Sequence, residues 1–136
     1  MKKGKREKPV FPIEYRLLLT PRYNERERRP LTYIAIRTVT EFSHFRYEVV
    51  VNTEVKGREL RLEIHGLRAP ELTLPHAGSA LFETEIPGLE GPYTVVVSKQ
   101  GREANAFSVQ FGPERITLLQ SPENRFIDLV TTPSEW

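Results

Sequence analysis

The chain has 136 residues, no cysteine and a formal net charge of +2. That length suits one domain with a core large enough to fold unaided. The missing cysteine excludes a disulfide framework, a thiolate zinc site and a cysteine nucleophile, and it fits a reducing compartment.

The charge is unevenly placed. Residues 1–30 hold ten Lys/Arg and four Glu, a net of +6, whereas residues 31–136 hold ten Lys/Arg and fourteen acids, a net of −4. The basic character therefore belongs to an N-terminal arm, residues 1–30. Seventeen Glu against one Asp, fourteen Arg against six Lys, and eleven Pro fit a thermophilic source. Met1 to Lys8 resembles the basic region of a signal peptide, but Pro12, Glu14 and Arg16 interrupt the stretch from Val10 to Leu19, so no apolar segment forms. No apolar run approaches the ~20 residues of a membrane helix. The expectation is a cytoplasmic protein, or part of a particle assembled there, with no membrane partner.

The helix period is almost absent, while apolar/polar alternation broken by Gly and Pro recurs, which is the all-β pattern. In chain order, residues 13–20 read as a strand within the arm. Residues 21–30, with Asn24 and four Arg, read as a charged loop. Residues 31–42, rich in Thr, Ile and Tyr, read as a strand. Residues 45–55 and 58–66 read as a hairpin about Lys56-Gly57, with Gly57 taking the positive φ of a tight turn. A two-residue loop there sets Val51 opposite Leu62, Val49 opposite Ile64, Asn52 opposite Arg61 and Glu48 opposite His65. Residues 71–74 and 80–86 come next as strands, and residues 87–92 as a turn. A second hairpin joins 92–99 to 103–111. A two-residue turn at Gln100-Gly101 would send Phe107 outward. An odd-length loop or bulge instead pairs Val95 with Phe107 and Tyr93 with Val109, with Gly101 left-handed. Residues 116–119 and 126–131 read as short strands, and 133–136 as a tail. The domain itself is placed at 31–120, and residues 121–136 form a C-terminal extension.

Gly91-Pro92-Tyr93-Thr94-Val95-Val96-Val97, then Gly101, Asn105, Phe107, Val109 and Phe111, resemble the last hairpin of an immunoglobulin-like or fibronectin-like domain. Tyr93 stands where such folds carry the tyrosine of a tyrosine corner. The resemblance spans roughly residues 31–111. It implies an antiparallel immunoglobulin-like β-sandwich carrying a basic arm, and nothing about activity. The two inter-sheet cysteines and the central tryptophan of antibody domains are missing, since the sole Trp is Trp136, so a fibronectin-like or bacterial-type variant is nearer, with a jelly roll or small barrel as the alternatives.

No catalytic constellation stands out. His44, His65 and His76 lack metal-ligand spacing. Glu48 opposite His65 is an acid–base pair only if it lines a cleft, and a surface cross-strand pair otherwise. Glu83 and Glu85 share a strand face and read as edge protection. No phosphate loop, dinucleotide turn or nucleophile elbow occurs, and no cofactor or metal is expected. The arm carries two basic clusters that could hold anions: Lys2, Lys3, Lys5, Arg6 and Lys8, then Arg22, Arg26, Arg28 and Arg29. The reading is a non-enzymatic interaction module for protein–protein or self-assembly. The alternative is a nucleic-acid-associated protein that uses the arm.

Overall fold

The alternation of the sequence becomes nine strands in the computed structural model, which describes residues 12–43, 47–69, 78–100 and 103–136. They are β1 (Tyr15–Asn24), β2 (Arg29–Phe42), β3 (Glu48–Lys56), β4 (Glu59–Arg68), β5 (Gly78–Pro87), β6 (Gly91–Lys99), β7 (Glu103–Phe111), β8 (Thr117–Gln120) and β9 (Ile127–Val130). A 3-10 turn at Pro133–Glu135 ends the chain. The strands form one sheet in the order β8-β7-β6-β4-β3-β5-β2-β1-β9. This sheet curls into a nearly closed barrel. Its two edges, β8 and β9, face each other across a groove of about 430 Å³ lined by Ile116, Leu118, Leu129 and Val130.

The antiparallel immunoglobulin-like sandwich is therefore wrong, although the all-β class holds. Hydrogen bonding does not stop between two sheets. It passes through Glu48↔Leu81, where the Leu81 N–H donates to the Tyr47 carbonyl at 3.1 Å. The sheet is also mixed: β1 and β9, β4 and β6, and β3 and β5 run parallel. Alternation along a strand separates inside from outside but says nothing about which strand lies alongside.

The inward faces fill the barrel. Leu17, Leu19, Ile34, Ile36, Leu60, Leu62, Val95, Val97, Val109 and Ile127 are all 0% exposed, and Phe107 lies among them. At about 25 cal/mol per Å² of apolar surface removed from water, this shared interior is the main stabilising term.

The hairpin registers test the sequence reading directly. In β6–β7, Val95 faces Phe107 and Tyr93 faces Val109, as the odd-loop argument requires, and Lys99↔Glu103 closes a three-residue loop. The left-handed residue described there is Gln100, at φ +51, while Gly101 lies outside the described residues. Tyr93 packs its ring edge-on to Phe111 at 5.4 Å, beneath Arg58. In β3–β4 the turn is Gly57-Arg58, not Lys56-Gly57. Val51 therefore meets Ile64, Thr53 meets Leu62 and Glu54 meets Arg61. The slip is two residues, so every side chain keeps its face. A bulge at His65 then shifts the register so that Glu48 meets Arg68. Gly66 takes φ +133 there, and the Gln100 side-chain amide donates to the exposed His65 carbonyl at 2.7 Å.

Two further expectations change. Residues 21–24 are not loop but the end of β1, whose hairpin to β2 closes at Asn24↔Arg29. Only residues 25–28 turn, with the Asn24 Oδ1 accepting from the Glu27 N–H at 3.0 Å. β1 and β9, which lie in the segments read as arm and extension, pair with each other. The 133–136 tail folds back over the outer face. There Trp136 covers Leu18, Tyr33 and Ala35, and the Arg37 guanidinium bonds its carbonyl and lies 4.8 Å from its ring centroid. The strand expected at 71–74 lies outside the described residues.

Two side chains repair breaks in the ladder. Thr38 spans the β2 bulge, accepting from the Ala80 N–H at 2.9 Å and donating to the Thr40 carbonyl at 2.8 Å. Buried Asn105 joins β7 to the entry of β9, which share no ladder. It accepts from the Phe126 N–H at 2.9 Å and donates to the Asn124 carbonyl at 3.2 Å.

Candidate binding edge

The wall of the barrel is thin between β3 and β5. After Glu48↔Leu81 no further pair joins these strands. Lys56 and Glu59 close a two-residue hairpin loop, so they exchange backbone bonds, and so do the even-numbered residues of β3 behind them. Val51, Thr53 and Val55 therefore turn their N–H and C=O groups away from β4, toward the open edge. The Tyr47 carbonyl, in the same row, is the one that reaches Leu81. On the other side Glu83 and Glu85 of β5 turn their backbone groups toward the same gap, and Pro87 ends the row without a donor.

The inward side chains tell the same story. In the centres of β1, β2, β4, β6 and β7 they are sealed. Along this gap Val51, Thr53, Phe82, Thr84 and Ile86 are only half-buried, and Val55 is 43% exposed. The Thr53 Oγ1 is buried yet has no hydrogen-bond partner among the described residues. At the closed end of the gap lies a cavity of about 400 Å³ lined by Tyr47, Val49, Leu81 and Phe82, with Glu48, Arg68 and Glu83 at its rim.

The rim charges are matched. Arg68 grips Glu48 with two bonds, at 3.0 and 2.6 Å. The Tyr33 hydroxyl donates to Glu83, and Arg22 pairs with Glu85 at 3.2 Å while lying 3.6 Å over the Tyr33 ring. Burial and the Glu83 carboxylate push the Tyr33 hydroxyl up to about 12. The Glu83 and Glu85 carboxylates thus serve a cross-strand network on the outer face.

The Glu48–His65 pair does not form. His65 lies instead 3.5 Å from Glu63, on the outer face of β4. His44 and His76 fall outside the described residues, as do Lys2, Lys3, Lys5, Arg6 and Lys8. Of the second cluster, Arg22 is engaged as above and Arg29 pairs with Glu27 at 2.6 Å. Arg26 and Arg28 are exposed in the turn, with Arg28 at φ +55. The structure brings Arg22, Arg26, Arg28 and Arg29 to one end of the β1–β2 hairpin. Among the described residues no group of three or more His, Asp or Glu could hold a metal ion, and no helix is long and apolar enough to cross a membrane.

The sequence reading missed the open edge. Its signal was faint: β3 ends in Thr53-Glu54-Val55-Lys56, the charged ending of an edge strand. Comparison with known proteins adds nothing to the geometry: no family model, curated protein or solved structure matches the chain.

Proposed function

We propose that this protein is a non-enzymatic interaction module that takes up an extended protein segment as an added strand along β3, in the gap facing β5. The observation that carries this reading is the gap itself: a row of unpaired backbone groups at Val51, Thr53 and Val55 above half-buried inward side chains. Backbone bonds would supply affinity, and alternate side chains entering the barrel wall would supply selectivity. The cysteine-free chain suits a reducing compartment, and we read it as cytoplasmic.

The test is a proline scan with peptide titration. Thr53→Pro removes one outward N–H without touching the β4 ladder, so the fold persists. Extended octapeptides selected from a displayed library against the wild-type protein are titrated into isotope-labelled protein. The expected result is movement of the Val51, Val55, Glu83 and Glu85 amides, and loss of binding in Thr53→Pro. Selected peptides that leave these amides unmoved would overturn the reading.

The net charge of +6 in residues 1–30 favours a second reading, nucleic-acid association through the arm. Arg22 and Arg29 already have carboxylate partners, which weakens it. Because β1 begins at Tyr15, the informative deletion is residues 1–11. Salt-insensitive binding to an oligonucleotide, or none, would end this reading.

A further inference from the structure

We infer that the strand added to β3 is β3 of a second copy, paired antiparallel about a two-fold axis through Thr53; this rests on the open-edge reading above. Backbone direction restricts the registers. Only odd-numbered residues of β3 present N–H and C=O to the edge, so odd must face odd. Three central registers meet that condition. Centring on Glu54 sets Glu54 against Glu54 of the second copy, and like charges directly opposed are destabilising. Centring on Asn52 sets Val51 against Thr53 and runs Val55 against Val49, beside the Glu48↔Leu81 position where the edge is already closed. Centring on Thr53 sets Val51 against Val55, Asn52 against Glu54 and Val50 against Lys56, each twice, with no like charges opposed.

This register also accounts for two otherwise unexplained features. Val55, 43% exposed at the edge, gains a valine partner, and β-branched cross-strand pairs are favourable. The buried Thr53 Oγ1, without a partner among the described residues, comes to lie opposite its two-fold mate, and Thr–Thr cross-strand hydrogen bonds are a recurring pair.

The other edges do not pair with themselves as well. On β5, centring on Thr84 opposes Glu83 to Glu85, centring on Glu85 opposes that carboxylate to its own copy, and Pro87 lacks a donor. β8 and β9 are four residues each, and they face one another across their own groove. A single added strand pair is a small interface, so the expected dissociation constant is on the order of micromolar.

The experiment uses the full chain. Light scattering across concentration should show a monomer–dimer equilibrium. Because the protein has no cysteine, Thr53→Cys places one thiol per copy at the axis. Directly opposed residues of a hydrogen-bonded pair have Cα atoms about 5.5 Å apart, within disulfide reach. Mild oxidation should then give a covalent dimer, whereas Val55→Cys, whose copies lie several residues apart along the strand, should not. In the cysteine-free background, Asn52→Glu should weaken the dimer roughly tenfold by facing Glu54, and adding Glu54→Lys should restore it. A monomer at every concentration, or equal cross-linking of both cysteine variants, overturns the self-pairing. A monomer that still binds selected peptides at the same amides would leave strand addition standing, and one that binds none would sink both.

Discussion

Tyr33 sits on the outer face of β2 with its ring under the Arg22 guanidinium and its hydroxyl on Glu83. Burial disfavours the phenolate first, and the neighbouring carboxylate adds to that, which pushes this hydroxyl up to about 12 from its ordinary value near 10. The folded state therefore holds this proton more tightly than the unfolded chain does. By linkage, the stability tied to it is fully present below pH 10 and is lost as the pH climbs from about 10 to 12. Ultraviolet titration should show a late tyrosine phase made up of Tyr33 and of Tyr15, whose hydroxyl burial also raises, with unfolding cooperatively coupled to it at the alkaline end. In Glu83→Gln the Tyr33 part of that late step should move toward the ordinary tyrosine range while the Tyr15 part stays. An unchanged late step in the variant would show that burial alone sets it. Lys99 behaves differently. Burial works against its charge, but its contacts with Glu14 at 2.8 Å and Glu103 at 3.0 Å outweigh that and raise its pKa.

At the scale of strands and turns, much was legible because side-chain direction and turn geometry constrain each other. Phe107, Val109 and Phe111 had to face inward with Val95 and Val97, and only an odd loop satisfies both strands. The β3–β4 hairpin shows the limit. A two-residue slip leaves every side chain on its face, so the apolar pattern could not tell the Lys56-Gly57 turn from the Gly57-Arg58 turn. Backbone strain decides it, since the first loop residue here sits at φ +60 and is glycine. Added bulk meets no obstacle at this position, because nothing lies within 4 Å of where a Cβ would stand. The cost of Gly57→Ala is therefore conformational, about 1 kcal/mol, and Gly57→Asn should recover most of it because asparagine tolerates the left-handed region. Urea denaturation of the two variants measures this. Equal losses for alanine and asparagine would mean that the turn relaxes to another register. The His65 bulge was not legible, since nothing in the local pattern shows that Gln100 waits on a neighbouring loop to bond its carbonyl.

Across the whole molecule, the sequence pattern could not show that β1 and β9 pair, or that β3 and β5 touch, because both contacts join distant segments. The strands read at 13–20 within the arm and at 126–131 near the C-terminus thus lie side by side in the sheet, and the candidate edge arose where two such distant strands part. The barrel has few direct ties across its two weak joins. The β3–β5 join has a single ladder position, and the β8–β9 side is bridged through Asn105. Unity then has to come from the interior, where Phe107 of β7 packs in one cluster with Leu17 of β1, Ile36 of β2 and Leu60 of β4. That makes a sharp expectation for unfolding. Trp136 is the sole tryptophan and reports on the outer face of β1 and β2, far along the sheet from β7, whereas far-ultraviolet circular dichroism sums all strands. Phe107→Ala should cost about 3–5 kcal/mol through lost burial and the cavity left behind. If the core binds the barrel into one cooperative unit, the tryptophan and dichroism transitions of this variant shift together to lower denaturant and stay coincident. If β8-β7-β6-β4-β3 and β5-β2-β1-β9 are held as separable units, dichroism falls first while the Trp136 signal persists, because the damaged residue lies in the first group alone.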